Sequence, residues 1–176
     1  MEFYEADIAG RKESLPVLKL PSGISIAFFN LHGNQELTEY CAEKIAEKIK
    51  GAEVIITAES KGLQLAHCVA RILGHKFYAV ARKSLKLYMQ DRISVEVNSI
   101  TTDGNQRLYL SNHDVLLLKD KKVAVVDDVI STGGSLEGLT RLVGLAGGTV
   151  LHKACVLAEG AAKDRDDIIS LGSIPI

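Results

Sequence analysis

Apolar positions along the chain keep changing period. Leu37, Cys41, Ile45 and Ile49 recur every fourth residue, which puts them on one face of a helix. Asn34 stands before this run as a cap and Gly51 closes it. Val54-Ile55-Ile56-Thr57-Ala58 is then a short β-branched run, the pattern of a strand buried on both faces. The alternation repeats. Gly62 to Leu73 predicts a helix with Leu65, Val69 and Leu73 inward, closed by Gly74, and Phe77 to Ala81 predicts a second buried strand. Val123-Ala124-Val125-Val126 predicts a third strand. A helix follows from Ser135 to about Ala146 with Leu139, Leu142 and Val143 inward, stopped by Gly147-Gly148. Thr149 to Leu157 and Ile168 to Leu171 complete the series as strands. Strands alternating with helices predict an α/β fold with a mainly parallel central sheet flanked by helices. Ligands of such sheets bind beyond the carboxyl ends of the strands, where the unusual loops of this sequence fall.

Two stretches depart from that rhythm. Residues 1–31 hold short apolar runs around the turn Leu20-Pro21-Ser22-Gly23, which predicts one or two short strands. Residues 83–120 separate two core strands by more than a crossover needs. Within them, Ile93 to Val97 and Arg107 to Leu110 form the expected arms of a hairpin around Thr102-Asp103-Gly104-Asn105. A long insertion of this kind is expected to be a flexible functional loop. The whole chain, 1–176, is expected to form one domain.

The composition narrows the classes. The chain is 47% hydrophobic and 24% charged, which suits a globular protein with a real core. Its 21 basic and 22 acidic residues leave a formal charge of −1, without the basic excess of a nucleic-acid binder. Cys41, Cys68 and Cys155 are far apart among apolar neighbours, so they are expected as buried free thiols in a reducing compartment. The N-terminal Glu2, Glu5 and Asp7 do not resemble a secretion signal, and no apolar run approaches the roughly 20 residues of a membrane span. The expectation is a cytoplasmic protein with no membrane or nucleic-acid partner.

The chemistry concentrates at Val123 through Ser135. An apolar strand ends in Asp127 and Asp128, and a small-residue loop leads on into a helix. Two carboxylates at a strand end are costly unless cations or hydroxyl donors meet them. A ribose with free hydroxyls and a nearby Mg²⁺ would meet that need. Ser131, Thr132, Gly133, Gly134 and Ser135 place backbone N–H groups and hydroxyls at a helix N-terminus, which favours a phosphate dianion. The loop is not a Walker loop, because no lysine follows its glycines, and no Gly-x-Gly-x-x-Gly fingerprint is present.

Val125-Val126-Asp127-Asp128-Val129-Ile130-Ser131-Thr132-Gly133-Gly134 closely resembles the phosphoribosyl pyrophosphate signature of the type I phosphoribosyltransferases. The resemblance covers most of the chain and is closest to the adenine phosphoribosyltransferase branch. Glu59-Ser60-Lys61-Gly62 resembles that branch's pyrophosphate loop, with lysine in place of arginine. Ala81-Arg82-Lys83 resembles the base of its flexible loop, and Ser94-Val95-Glu96-Val97 is a looser echo of that loop's Ser-x-Glu-Tyr. The resemblance implies the type I fold, with a small hood from residues 1–31 and 157–176 and a flexible loop over 83–120. It implies Asp127 and Asp128 on the ribose hydroxyls, directly or through Mg²⁺, and residues 131–135 on the 5-phosphate. It further implies Glu59, Ser60, Lys61, Gly62, Arg82 and Lys83 around the pyrophosphate, and a homodimer. Glu96 would accept a proton from the purine.

For the base, Val17, Leu18, Ile26 and Phe28 in the hood are candidates to stack on a flat ring, together with Val129. Glu159, in Ala158-Glu159-Gly160, stands about where 6-oxopurine enzymes carry a lysine that donates to the base oxygen. A carboxylate accepts where lysine donates, which suits the 6-amino group of adenine. Xanthine phosphoribosyltransferases also carry a glutamate hereabouts, so xanthine or another 6-oxopurine is the alternative base. The other alternative is a non-catalytic regulator of the same fold that binds phosphoribosyl pyrophosphate.

Overall fold

A computed structural model describes residues 2–97 and 106–175. Its centre is a five-stranded parallel sheet of β4 (Val54–Ala58), β5 (Ala79–Ala81), β8 (Lys122–Ile130), β9 (Thr149–Glu159) and β10 (Ile169–Ile174), in the spatial order β10-β9-β8-β4-β5. Side chains alternate between two cores. Ile55, Ala124 and Val126 face one core, shared with α1 (Gln35–Lys48), α2 (Leu63–Ile72) and the N-terminal strands. Val54, Ile56, Val123 and Val125 face the other, shared with α4 (Gly134–Leu145). This is why the strands carry continuous apolar runs.

The helix signals hold. Asn34 Oδ1 accepts from Leu37 N at 3.1 Å, and Leu37, Cys41, Ile45 and Ile49 are buried. Two strands differ from expectation. The strand expected over 77–81 shrinks to Ala79–Ala81, because β5 is an edge strand that pairs with β4 only there. Phe77 is instead half exposed, its ring set edge-on to His113. The strand expected to stop at Val126 runs on through both aspartates to Ile130, because β9 pairs alongside as far as Ala158. Cys41, Cys68 and Cys155 are buried and unbridged, and burial pushes the thiols of Cys41 and Cys155 up to about 12.

The N-terminal segment forms three antiparallel strands, β1 (Phe3–Ile8), β2 (Arg11–Lys19) and β3 (Ser25–Ala27), one more than expected. The first turn is Ala9-Gly10, both at positive φ, with Asp7 Oδ1 accepting from Gly10 N at 2.8 Å. Ala9 N donates to Leu171 O at 2.8 Å and ties this small sheet to the β10 edge. Gly172 makes the junction possible, since a Cβ there would overlap the Asp7 carbonyl oxygen.

Within residues 83–120 the expected arms appear as β6 (Arg92–Val97) and β7 (Gln106–Ser111), while their expected turn, Thr102 to Asn105, lies outside the described residues. The hairpin is packed: Val95, Val97, Leu108 and Leu110 are buried against α4, where Gly138 leaves room for Val97. A helix, α3 (Asn112–Leu118), follows with Ser111 as its cap. It escaped the sequence reading because Val115-Leu116-Leu117-Leu118 is a continuous run without helical period. Among the described residues of the stretch, 83–91 are irregular, and Leu85, Leu87 and Tyr88 there are exposed. No described helix is long and apolar enough to cross a membrane.

Candidate active site

Strand order reverses between β4 and β8: the chain proceeds from β4 outward to β5 through α2, and from β8 outward to β9 through α4. The two helices lie against opposite faces of the sheet. The loops leaving β4 and β8 therefore diverge and open a crevice at the carboxyl ends of the strands. Residues 59–62 form one lip and residues 131–135 the other. Of the expected site residues, 59–62 and 131–135 flank this crevice, while Arg82 and Lys83 follow β5 on the other side of β4.

The floor is the carboxylate pair. Asp128 is buried, 4% exposed, and its Oδ2 makes no hydrogen bond among the described residues. Lys61 Nζ, from the opposite lip, lies 3.4 Å from that oxygen. The two are near enough for an ion pair but not aligned as a hydrogen bond, so a lone pair of Asp128 stays free for a ligand. Burial and the neighbouring Asp128 charge push the Asp127 carboxyl well above the ordinary carboxylate range. A cation or a hydroxyl donor would relieve both groups. Among the described residues no three His, Cys, Asp or Glu side chains converge to hold a metal. A divalent cation resting on Asp127 and Asp128 would thus draw most of its oxygen ligands from a bound molecule and water, the habit of Mg²⁺.

Gly62 fits tightly beneath Asp127. A Cβ at Gly62 would overlap Thr57 Oγ1 and lie 3.1 Å from Asp127 Oδ1. Thr57 is fully buried, and its hydroxyl has no partner among the described residues. The Glu59–Ser60 peptide bond is cis. The Glu59 carboxylate is already engaged: it accepts from Arg82 Nε at 2.8 Å and from Lys83 N at 2.6 Å. Glu59 therefore couples the lip to the start of the 83–91 loop, and the groups left for an anion are Ser60, Lys61, the Gly62 region and the cations Arg82 and Lys83. Arg82 also donates to Tyr88 Oη at 3.0 Å.

On the other lip, Gly133 adopts φ +85° and caps α4, which only glycine does without strain. Gly134 and Ser135 begin the helix, so unpaired N–H groups face the loop's concavity. Ser131 and Thr132 are exposed.

The N-terminal sheet closes the crevice from the side. Phe28 is 37% exposed, and Lys61 Nζ lies 5.7 Å from its ring centroid. Ile26, half-buried, pairs across the sheet with the exposed Leu18, and Val17 pairs with Ala27. Val129 packs half-buried against the first core. Gln64, on the first turn of α2, donates to Leu31 O and pairs with His32 Nδ1 at 3.0 Å, fastening the N-terminal segment to the lip. Glu159, at the end of β9, reaches Ser131 Oγ at 3.5 Å and so stands beside the loop of β8. Glu96 is separate from this group. It lies on the hairpin, 59% exposed at its side chain, with its carboxylate 2.7 Å from Arg107 Nη1. Sequence reasoning also passed over Thr57 and Arg165, whose places depend on which loops meet. Arg165 Nη1 would lie 2.6 Å from a Cβ at Gly133.

Residues 30–173 match the family model described as phosphoribosyl transferase domain. The chain is 33% identical over 166 residues to a xanthine phosphoribosyltransferase from Exiguobacterium sp., covering 93% of this chain and 82% of that one. It is also 33% identical over 140 residues to an adenine phosphoribosyltransferase from Petrotoga mobilis, covering 78% of each. Its fold matches the crystal structure of adenine phosphoribosyltransferase from Thermoanaerobacter pseudethanolicus with a TM-score of 0.74 at 24% identity, over 90% of this chain and 95% of that one.

Proposed function

Since the chain belongs to the phosphoribosyl transferase family, we propose that it is a purine phosphoribosyltransferase that joins adenine to phosphoribosyl pyrophosphate, giving AMP and pyrophosphate. The observation that carries this reading is the crevice itself. It sets adjacent carboxylates, of which Asp128 is buried with an unpartnered oxygen, between an N–H-lined phosphate loop and a lip bearing Lys61.

In this reading Asp127 and Asp128 take the ribose hydroxyls. Asp127 and Asp128 would hold a Mg²⁺ ion, which would supply positive charge against the pyrophosphate. Residues 131–135 receive the 5-phosphate. Lys61, the backbone of Ser60 and Gly62, Arg82 and Lys83 face the pyrophosphate, with Glu59 holding Arg82 and Lys83 in place. The bond from the ribose to pyrophosphate oxygen breaks while a ring nitrogen of the purine bonds to the same carbon and gives up its proton. Donors preset where charge accumulates lower that barrier without reorganising. The crevice supplies positioning, with both reactants held on rigid strand ends. For Glu96 to take the purine's proton it would first have to leave Arg107.

Phe28, Ile26 and Val129 supply apolar surface for the ring, and Glu159 supplies an acceptor at its edge. The same acceptor suits a ring N–H of xanthine, and the likeness to a xanthine enzyme over 93% of this chain favours that base as the second reading. A homodimer and a cytoplasmic location complete the proposal. The test is pyrophosphate release with phosphoribosyl pyrophosphate and Mg²⁺, offering adenine, hypoxanthine, guanine, xanthine and uracil separately. Turnover with adenine supports the first reading and turnover with xanthine the second. Binding of phosphoribosyl pyrophosphate without turnover of any base would replace both with a sensing role.

A further inference from the structure

We infer that Arg165 and Asp167 form a bracket that positions the 131–135 loop and tunes the site for ligands carrying a 5-phosphate, an inference that rests on the reading of that loop given above. Arg165 follows the short 3-10 helix Gly160–Asp164 that leaves β9. Its Nε and Nη2 donate to the two oxygens of Asp167 at 2.8 and 2.7 Å. Asp167 is held in turn by Lys153 of β9, whose Nζ lies 3.2 Å away.

A guanidinium is planar, so fixing Nε and Nη2 fixes the direction of Nη1 as well. That third nitrogen points at Gly133: a Cβ there would lie 2.6 Å from Nη1 and 3.9 Å from Cζ. The left-handed φ of +85° calls for glycine, and the end of Arg165 lies over the open side it leaves. The bracket belongs to the segment between β9 and β10, yet its free edge lies next to the cap of α4. A surface ion pair alone would have no reason to be aimed there.

The surroundings agree. A 250 Å³ cleft along α4 beside the loop is lined by Thr132, Glu137, Thr140, Arg141, Lys153 and Arg165 among others. Three cations against Glu137, with Asp167 behind them, leave the flank of the loop net positive. Arg165 thereby restrains the orientation of the Gly133 peptide and raises the attraction of the loop for phosphate. It does so without needing to touch the reacting atoms.

The experiment is steady-state kinetics of the full-length protein with phosphoribosyl pyrophosphate, Mg²⁺ and whichever base the wild type turns over. Four proteins are compared: wild type, Arg165→Gln, Arg165→Lys and Asp167→Asn. Arg165→Gln is expected to raise KM for phosphoribosyl pyrophosphate about tenfold, the scale of one charge-assisted contact partly screened by solvent. It should leave kcat and KM for the base within about twofold. Arg165→Lys, which keeps the charge but loses the fork, should recover part of the loss, and Asp167→Asn should reproduce part of it. Equal losses in kcat and in KM for the base would mean a collapsed loop, and an unchanged KM for phosphoribosyl pyrophosphate would mean an idle ion pair; either overturns the inference. If Arg165→Gln does not fold, the other two variants carry the same comparison. A wild type that neither turns over nor binds phosphoribosyl pyrophosphate overturns the reading of the site, and this inference with it. An active wild type with indifferent variants overturns this inference alone.

Discussion

Gly62→Ala probes how closely the lip is fitted to the carboxylate floor. Gly62 has φ −84° and ψ −9°, which alanine adopts freely, so the perturbation is steric alone. The new Cβ would come closer than 3.0 Å to Thr57 Oγ1 and within 3.1 Å of Asp127 Oδ1. Thr57 is fully buried in β4 and has nowhere to retreat. Overpacking of this kind costs about 1–3 kcal/mol. Asp127 must also yield by a few tenths of an ångström. A misplacement of about 1 Å costs roughly a hundredfold in rate, so a loss of about tenfold in kcat/KM for phosphoribosyl pyrophosphate is expected. Thr57→Ala removes the main obstacle together with an unpartnered buried hydroxyl. Alone it should change stability by no more than about 1 kcal/mol, the lost methyl offsetting the relieved polar group. The double variant should then recover most of the stability, a coupling of about 1–2 kcal/mol. It should recover only part of the activity, because the approach to Asp127 remains. Urea unfolding and kinetics of the four proteins decide the matter. Additive effects, or a Gly62→Ala protein with wild-type stability and rate, would refute the fit.

Two further variants test the frame around the crevice. In Gly172→Ala the new Cβ meets the Asp7 carbonyl oxygen, which is backbone and cannot rotate away, so the N-terminal sheet should lift from β10. We expect about 2 kcal/mol of destabilisation, a fall in Tm of about 4–8 °C, and a raised KM for the base; an unchanged Tm would show that the sheet is not anchored there. Burial raises the Glu59 pKa, but the Lys83 amide and the Arg82 guanidinium outweigh it and leave the group below its ordinary value. Its contribution is thus present above the unfolded-state pKa of about 4.3 and lost as pH falls through the lower folded value. Glu59→Gln should cost about 1 kcal/mol or less at pH 7, allowing for partial exposure, and the penalty should shrink as pH falls below about 4.3 and vanish below the lower folded value. A penalty independent of pH in urea titrations would contradict the ion-pair assignment.

How much of this was legible in the sequence follows from the range of each interaction. The cap Asn34, the helix face of Leu37 to Ile49 and the strand-to-helix loop at 131–135 rest on contacts a few residues apart, and they read correctly. The Asp127-Asp128 pair stood out in the sequence because two carboxylates directly after an apolar run are costly to bury, although β9 carries the strand past them. The Ala9-Gly10 turn was hidden by an alanine at φ 50°, a conformation that composition does not advertise. The buried side of the hairpin was missed because its alternation pairs with α4, forty residues downstream, rather than with a neighbouring strand. Glu59 read as a ligand from its neighbours Ser60 to Gly62, whereas its partners Arg82 and Lys83 come from the next strand end. Arg165 and Thr57 gave no signal at all, since each matters only through a glycine on another element.

We propose that Asp127 and Asp128 bind phosphoribosyl pyrophosphate together with a divalent cation. The direct measurement is formation of nucleotide and pyrophosphate by the wild type and by Asp127→Asn, Asp128→Asn and the double variant, with and without Mg²⁺. We predict equal amounts of the two products from the wild type only when Mg²⁺ is present. Each single variant should lose about a hundredfold or more in kcat/KM, and the double variant should lose little beyond the worse single, because the carboxylates act as a unit. A double variant that retains kcat/KM within a few-fold of the wild type would contradict the account.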